Sequence, residues 1–433
     1  MADVAQRQLV IQPARRVYGT LQVPGDKSIA HRYAMLGAIA EGTTAIAHLA
    51  PGEDVATSLA CMQALGATIE RRGPLAVRVT GCGARGLAAA TAPLDAGNSG
   101  TTMRLLAGIV ASYPIITVMH GDASLSRRPM TRVIEPLTAM GATIRSNNGR
   151  APLEIHGGPL AGIAWTPPVA SAQIKSALLF AGLRARGVTT VVETLPTRDH
   201  TERAFPAFGI DISVIGERVT VRGGQVPVAP PGQLTVPGDP STGAVWAAAA
   251  AALPGSSVRL EGCGLNPHRL GYLAALERLG ARVDVRQTGE MAGEPVGVIE
   301  VAHGDRGAMV IGRADVPALI DELPVLAARA ALGGRLDVSG AAELRVKESD
   351  RISALVAGLQ TLGVDAEERP DGFRIEGTHQ PHGGTVHAHG DHRLVMAFAL
   401  VGLGSTRPTI IEGAEAVSVS YPGFERDMAD LIT

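Results

Sequence analysis

Repetition constrains this chain more than any other feature. One phrase has a small-residue start, about ten mostly apolar residues, a glycine and a short strand-like run. It occupies Ser28–Ala40 with Gly42 and Thr43–His48, Gly100–Val110 before Ile115–Met119, and Ser171–Arg184 with Gly187 and Val188–Val192. It returns at Ser241–Leu253 with Gly255 and Val258–Leu260, Asp321–Ala331 with Gly333 and Leu336–Val338, and His392–Val401 with Gly402 and Thr409–Ile411. A second phrase alternates with it, a helix that ends in Leu-Gly-Ala or a variant and runs into strands. Its glycines are Gly66, Gly141, Gly209, Gly280 and Gly363, and a sixth helix, Phe424–Ile432, closes the chain. Each unit is therefore about 70–80 residues of the kind βαβαββ, too long for a solenoid repeat. Six such units predict an α/β protein with mixed sheets.

Tripled units can close around a pseudo-threefold axis, so six predict two domains of three. The 433 residues leave room for that. Val23-Pro24-Gly25-Asp26 and Val236-Pro237-Gly238-Asp239 are the same tetrapeptide, with three repeats between them. Proline restricts its neighbour and glycine frees the backbone, which suits a crossing between domains. The expected domains are residues 24–236, and 1–23 plus 237–433. In the second, Leu9–Ile11 and Thr20–Val23 are expected to supply the strands that the last repeat lacks.

Composition excludes several classes. A formal charge of −2 and no long basic block give no sign of a nucleic-acid or anionic-membrane surface. The most apolar stretch, Ala244 to Leu253, is far short of the roughly 20 residues of a membrane span. The opening Met-Ala-Asp-Val-Ala-Gln-Arg lacks the apolar segment of a signal peptide. Three cysteines, Cys61, Cys82 and Cys263, make no disulfide framework and no zinc knuckle, so a cytoplasmic setting is expected. Aromatics at 3% against 53 glycines predict a core of small aliphatic side chains and a polar ligand that is not held by stacking.

Charge collects at helix starts, at Lys27, Arg32, Arg104, Arg127, Arg128, Lys175, Arg198 and Asp199 in one half and at Asp321, Glu322, Lys347, Glu348, Asp350, Arg351, His392 and Arg393 in the other. Helix N-termini already favour anions, so added cations there predict a site for a multiply anionic small molecule, with capping and ion pairing the plainer account of any one of them. Gly25-Asp26-Lys27-Ser28 resembles the tail of a phosphate-binding loop but has Asp26 and Leu21 where that motif requires glycine. No dinucleotide-binding glycine fingerprint and no Gly-x-Ser-x-Gly elbow is present. Histidines 379, 382, 387, 389 and 392 crowd one segment without a matching carboxylate or cysteine cluster, so no metal site is expected.

Leu21-Gln22-Val23-Pro24-Gly25-Asp26-Lys27-Ser28-Ile29-Ala30-His31-Arg32, Gly97-Asn98-Ser99-Gly100-Thr101-Thr102-Met103-Arg104 and Ser126-Arg127-Arg128-Pro129-Met130 resemble the 5-enolpyruvylshikimate-3-phosphate synthase family of enolpyruvyl transferases. Ser171–Ser176, Thr197–Glu202, Asp321–Pro324, Arg345–Arg351 and Asp391–Arg393 do so as well, in family order over nearly the whole chain. The resemblance implies a two-domain inside-out α/β barrel, each domain three βαβαββ units around a pseudo-threefold axis. It implies transfer of the enolpyruvyl group of phosphoenolpyruvate to the 5-hydroxyl of shikimate 3-phosphate, with release of phosphate, in the shikimate pathway that supplies chorismate and aromatic amino acids. Neither metal nor cofactor is called for, and the resemblance implies a monomer.

Carried over residue by residue, Lys27 contacts both substrates, and Ser28, Arg32, Ser171, Gln173 and Arg198 hold shikimate 3-phosphate, with Asp321 and Lys347 reaching it from the second domain. Asn98, Gly100, Arg128 and Gln173 line the phosphoenolpyruvate pocket, with Lys347, Arg351 and Arg393 closing on it. Asp321 is implied as the base for the hydroxyl proton, and Glu348, with Lys27 as contender, as donor to the methylene. A carboxylate beside Lys347 and Arg351 should ionise readily, so the donor role needs the substrate's own charge nearby. Splitting ligands between domains implies closure on binding shikimate 3-phosphate. The chain departs from one branch of the family at Val419, where many members have lysine, at Ala172 in place of a serine, and at Leu105 in place of a proline. These departures point to the more divergent bacterial branch. The alternatives are a UDP-N-acetylglucosamine enolpyruvyl transferase, disfavoured by Lys27-Ser28 and by a Gly121–Arg128 segment without cysteine, a non-catalytic binder of a phosphorylated metabolite, and a metal-dependent hydrolase using the histidines.

Overall fold

The computed structural model describes residues 7–378 and 380–432. It is a mixed α/β protein with six small sheets, five of four strands and one of three. The chain divides into two compact units. The middle unit comprises Gly25–Pro237 and Glu290–Glu294, and the terminal unit the residues up to Pro24, Gly238–Gly289 and Pro295 onward. Both main divisions fall inside the Val-Pro-Gly-Asp tetrapeptides. The partition expected from sequence leaves residues 290–294 in the second domain, whereas the structure groups them with the middle unit. There Glu294 lies 2.6 Å from His200 Nδ1, and Arg203 donates to the Gly293 carbonyl at 2.6 Å.

The middle unit holds α1 (Lys27–Ile39), α2 (Glu53–Ala64), α3 (Gly100–Ala111), α4 (Thr131–Ala139), α5 (Ala172–Gly182) and α6 (His200–Ala207). The odd-numbered three are the apolar helices of the first phrase. In α1 every residue from Ile29 to Ile39 is buried, which a helix without a polar face requires. Helices α3 and α5 approach closely because Gly108 has no side chain, since a Cβ there would stand 2.1 Å from the Ala177 carbonyl oxygen. In α2, α4 and α6 only one face is buried. Each sheet joins one parallel and two antiparallel pairs. Gln233–Thr235, Thr43–Ala47, Ala76–Thr80 and Thr68–Gly73 form the first in that order, and sheets centred on Ile116–His120 and Val188–Val192 repeat the arrangement.

The terminal unit holds α7 (Pro240–Ala252), α8 (Gly271–Arg278), α9 (Val316–Leu319), α10 (Leu323–Ala331), α11 (Arg351–Thr361), α12 (His392–Leu403) and α13 (Phe424–Leu431). Alanine-rich α7 is buried throughout, and Trp246 on it stacks on Phe424 at 5.4 Å between ring centroids. Burying a large apolar side chain contributes about 2–3 kcal/mol, and each unit has its own cluster of them.

Three local expectations change. Gln8–Ile11 pairs with Thr409–Glu412 in the last sheet as expected, but Tyr18–Gln22 runs parallel to Ser257–Gly264 in the sheet of the fourth repeat. Gly402 does not stop its helix, because α12 continues to Leu403 and the glycine instead admits Ile11 and Thr409, each 3.0 Å from where its Cβ would stand. Asp321 and Glu322 precede α10 and are not its first turn.

Candidate active site

In the middle unit, Asp26 caps α1 by accepting from Ile29 N at 2.9 Å, which sets Lys27 and Ser28 at the helix start. Lys27 Nζ donates to Asp54 Oδ2 of α2 at 2.9 Å. Arg32, one turn further, is buried and donates to Thr201 Oγ1 at 2.7 Å, Ser176 Oγ at 2.6 Å and the Ser28 carbonyl at 2.8 Å. Burial pushes its pKa down to about 10 against the opposing pull of Glu202, Asp26 and Glu294, so it remains a cation at neutral pH.

Ser99 caps α3 through Thr102 N at 3.1 Å and so places Asn98 and Gly100 at that helix start. Arg128 donates to Asn98 Oδ1 at 2.7 Å, and Asn98 donates to Asp122 at 2.6 Å. A Cβ on Gly100 would lie 2.9 Å from Arg104 Nη1 and 3.4 Å from Arg128 Nη1, so the absent side chain makes room for two guanidinium groups. Arg104 donates to Gln173 Oε1 at 2.7 Å, and Gln173 donates to Thr101 Oγ1 at 2.9 Å. Ser171 caps α5. Beneath it, buried Lys175 pairs with Glu193 at 2.9 Å and Glu202 at 2.5 Å, and Glu193 also accepts from Thr197 N at 3.1 Å, which anchors the segment carrying Arg198. Burial raises the Glu202 carboxyl against the lowering effect of Lys175.

In the terminal unit a second cluster forms around Asp391, which is fully buried and caps α12 through Arg393 N at 2.9 Å. Arg351, at the start of α11, donates to Asp391 Oδ2 at 2.7 Å and to Glu348 Oε2 at 2.5 Å, and lies 3.8 Å from Asp321 Oδ1. Burial alone would weaken this base, but Asp391, Glu348 and Asp321 outweigh it and hold the guanidinium protonated more firmly than usual. Arg393 donates to the Asp321 carbonyl at 2.5 Å and lies 3.6 Å from its carboxylate. A third network links Glu322, Ser241, Arg269 and Asp239.

Thus Lys27, Ser28, Arg32, Asn98, Gly100, Arg128, Ser171, Gln173 and Arg198 lie in one unit, and Asp321, Glu348, Arg351 and Arg393 gather in the other. Lys347 pairs with Glu343 at 3.4 Å. Arg104, though read from sequence among the cations at helix starts, was given no substrate role there, and neither were Asp54 and Asp391. Arg104 had a signal, its place one turn beyond Gly100. His387 lies 2.9 Å from Glu412, and its ring is 6.0 Å from that of His389. Among the described residues no group of three side chains could hold a metal, and His379 lies outside them. No helix of the described chain is long and apolar enough to cross a membrane.

Two units of small mixed sheets, with cations and carboxylates gathered near helix starts, fit an enzyme that acts on multiply anionic small molecules. Two solved structures of EPSP synthase from Acinetobacter baumannii share the fold with TM-scores of 0.86, at 41% and 39% identity over 98% of both chains. The family model EPSP synthase (3-phosphoshikimate 1-carboxyvinyltransferase) matches residues 11–428. The 3-phosphoshikimate 1-carboxyvinyltransferase of Halorhodospira halophila is 49% identical over 96% of this chain and 94% of its own, and that of Desulforudis audaxviator 47% over 98% and 99%. The chain belongs to the EPSP synthase family. Its activity is transfer of the enolpyruvyl group of phosphoenolpyruvate to shikimate 3-phosphate, a step of aromatic amino acid biosynthesis (EC 2.5.1.19). The UDP-N-acetylglucosamine, non-catalytic and hydrolase alternatives are set aside.

Proposed function

We propose that this transfer uses the residues implied by the motifs, divided by unit. The middle unit holds shikimate 3-phosphate through Lys27, Ser28, Arg32, Ser171, Gln173 and Arg198, and receives phosphoenolpyruvate at Lys27, Asn98, Gly100, Arg128 and Gln173. The terminal unit contributes Asp321 and Lys347 to the acceptor and Arg351, Arg393 and Lys347 to the donor. In each unit the three sheets and their helices surround a pseudo-threefold axis as an inside-out α/β barrel. The enzyme acts as a single chain in the cytoplasm, in keeping with three cysteines that are all free and buried.

The acceptor oxygen attacks C2 of phosphoenolpyruvate as Asp321 takes its proton, and C3 receives a proton from Glu348 or Lys27. The tetrahedral adduct then loses the C3 proton and expels phosphate, restoring the double bond. Guanidinium groups suit the donor's phosphate and carboxylate because their forked donors match those oxygens. The observation that carries this reading is Asp321, whose part-exposed carboxylate faces Arg351 and Arg393 while its backbone carbonyl is pinned by Arg393. Asp321→Ala is expected to lower kcat by at least about a hundredfold with shikimate 3-phosphate binding retained. Loss of that binding with turnover unchanged at saturation would reverse the assignment.

A further inference from the structure

His31 lies one turn beyond Lys27 on α1 and is fully buried, yet no substrate contact proposed above uses it. Its Nδ1 is 2.7 Å from Ser58 Oγ on α2, and its Nε2 has no hydrogen-bond partner. Ser58 Oγ is 2.7 Å from Thr102 Oγ1 on α3. The Thr102 hydroxyl reaches Ser99 Oγ at 2.8 Å and the Asp54 carbonyl at 3.4 Å.

A hydroxyl has one proton, so the direction of this chain can be worked out. Thr102 donates to Ser99 or to the Asp54 carbonyl, so its oxygen accepts from Ser58. The Ser58 proton is then committed, and Ser58 accepts from the imidazole. Nδ1 therefore carries the hydrogen and Nε2 is a bare lone pair. That is the milder of the two choices, because unfilled buried acceptors are less rare than orphaned N–H groups. An imidazolium would bury a second N–H with no acceptor. Burial, opposed by Asp54 of α2 and reinforced by Lys27 and Arg32 of α1, accordingly pushes the His31 pKa down to about 3.

Both ends of the relay meet the site. Ser99 caps the helix that begins at Gly100, and Asp54 holds Lys27. We propose that His31 is a positioning residue of the phosphoenolpyruvate pocket, its neutral Nδ1–H fixing a relay through Ser58 and Thr102 that sets the start of α3 and the backbone of Asp54. This rests on the reading of Lys27, Asn98 and Gly100 as donor-binding.

The test uses the full chain and steady-state kinetics. Asparagine can place its amide where Nδ1 stands, and glutamine where Nε2 stands. His31→Asn is expected to keep the KM for phosphoenolpyruvate within about threefold of the parent. His31→Gln is expected to raise it about tenfold, with the KM for shikimate 3-phosphate changed less than about twofold. Equal donor KM values in the two variants overturn the proposal. Lys27→Met run alongside separates the two readings, since an unchanged donor KM there removes the pocket reading on which the relay depends. Should the variants fold poorly, ¹⁵N spectra of the histidine-labelled parent decide. A protonated Nδ1 and bare Nε2 that do not titrate between about pH 8 and 5 support the relay, and a protonated Nε2 overturns it.

Discussion

A neutral imidazole sealed inside a protein makes stability depend on acidity. The His31 pKa is about 3 in the folded chain against 6.5 unfolded. Between these values the unfolded chain binds a proton that the folded one refuses, so stability falls as pH drops from about 6.5 towards about 3. At pH 4.5 this one group costs about 2–3 kcal/mol. Urea unfolding at pH 7 and pH 4.5 should show the parent losing that much more than His31→Asn, and equal losses would contradict it. His31 also marks what sequence could and could not convey about the site. Lys27 and Arg351 were legible as cations at helix starts, being the first residues of α1 and α11, whereas Arg128 follows a 3-10 turn and Asp321 precedes α10. Asp54 and Asp391 were not legible, because each acts on a cation from a different helix, and that pairing depends on packing. The Asn98–Arg128 bond likewise spans a helix, a strand and a turn.

The helices and most strands were legible because an apolar helix ending in glycine is a local signal. All five corners of the second phrase take positive φ at the glycine, from 70° at Gly209 to 114° at Gly141. Their surroundings differ. An added Cβ meets nothing within 4 Å at Gly209 but would stand 1.6 Å from the Asp305 carbonyl oxygen at Gly280. Gly209→Ala should cost about 1 kcal/mol, the backbone penalty alone, and Gly280→Ala about 3 kcal/mol or more. Denaturation midpoints of the two variants check this, and similar costs would refute it. Sheet membership was the illegible part. Tyr18–Gln22 has the alternation of a strand, but nothing in it names Ser257–Gly264 as partner, because pairing is fixed by burial on both neighbours. Gly402 misled because the same residue serves helix ends and close packing alike.

The chain has two tryptophans, and they report on different units. Trp246 is buried in the terminal core and donates to Tyr421 Oη at 2.9 Å, while Trp165 packs half-buried against the middle core. With separate cores, guanidinium unfolding of Trp165→Phe followed by Trp246 emission should not coincide with the parent followed by circular dichroism. Superimposable curves would mean that both cores melt as one. Repetition made the two-core plan readable, but the hairpin turn at residues 290–294 broke the simple partition, since its place depends on His200 and Arg203. The strand Gln8–Ile11 pairs with Thr409–Glu412, so the two strands of this pair lie on either side of the whole middle unit in chain order. The middle unit can therefore complete itself while translation is still under way, whereas the other must keep Gln8–Ile11 waiting until its partner strand has emerged. In the cell that interval is a window for chaperones to act on an exposed strand edge, and it lengthens wherever elongation slows.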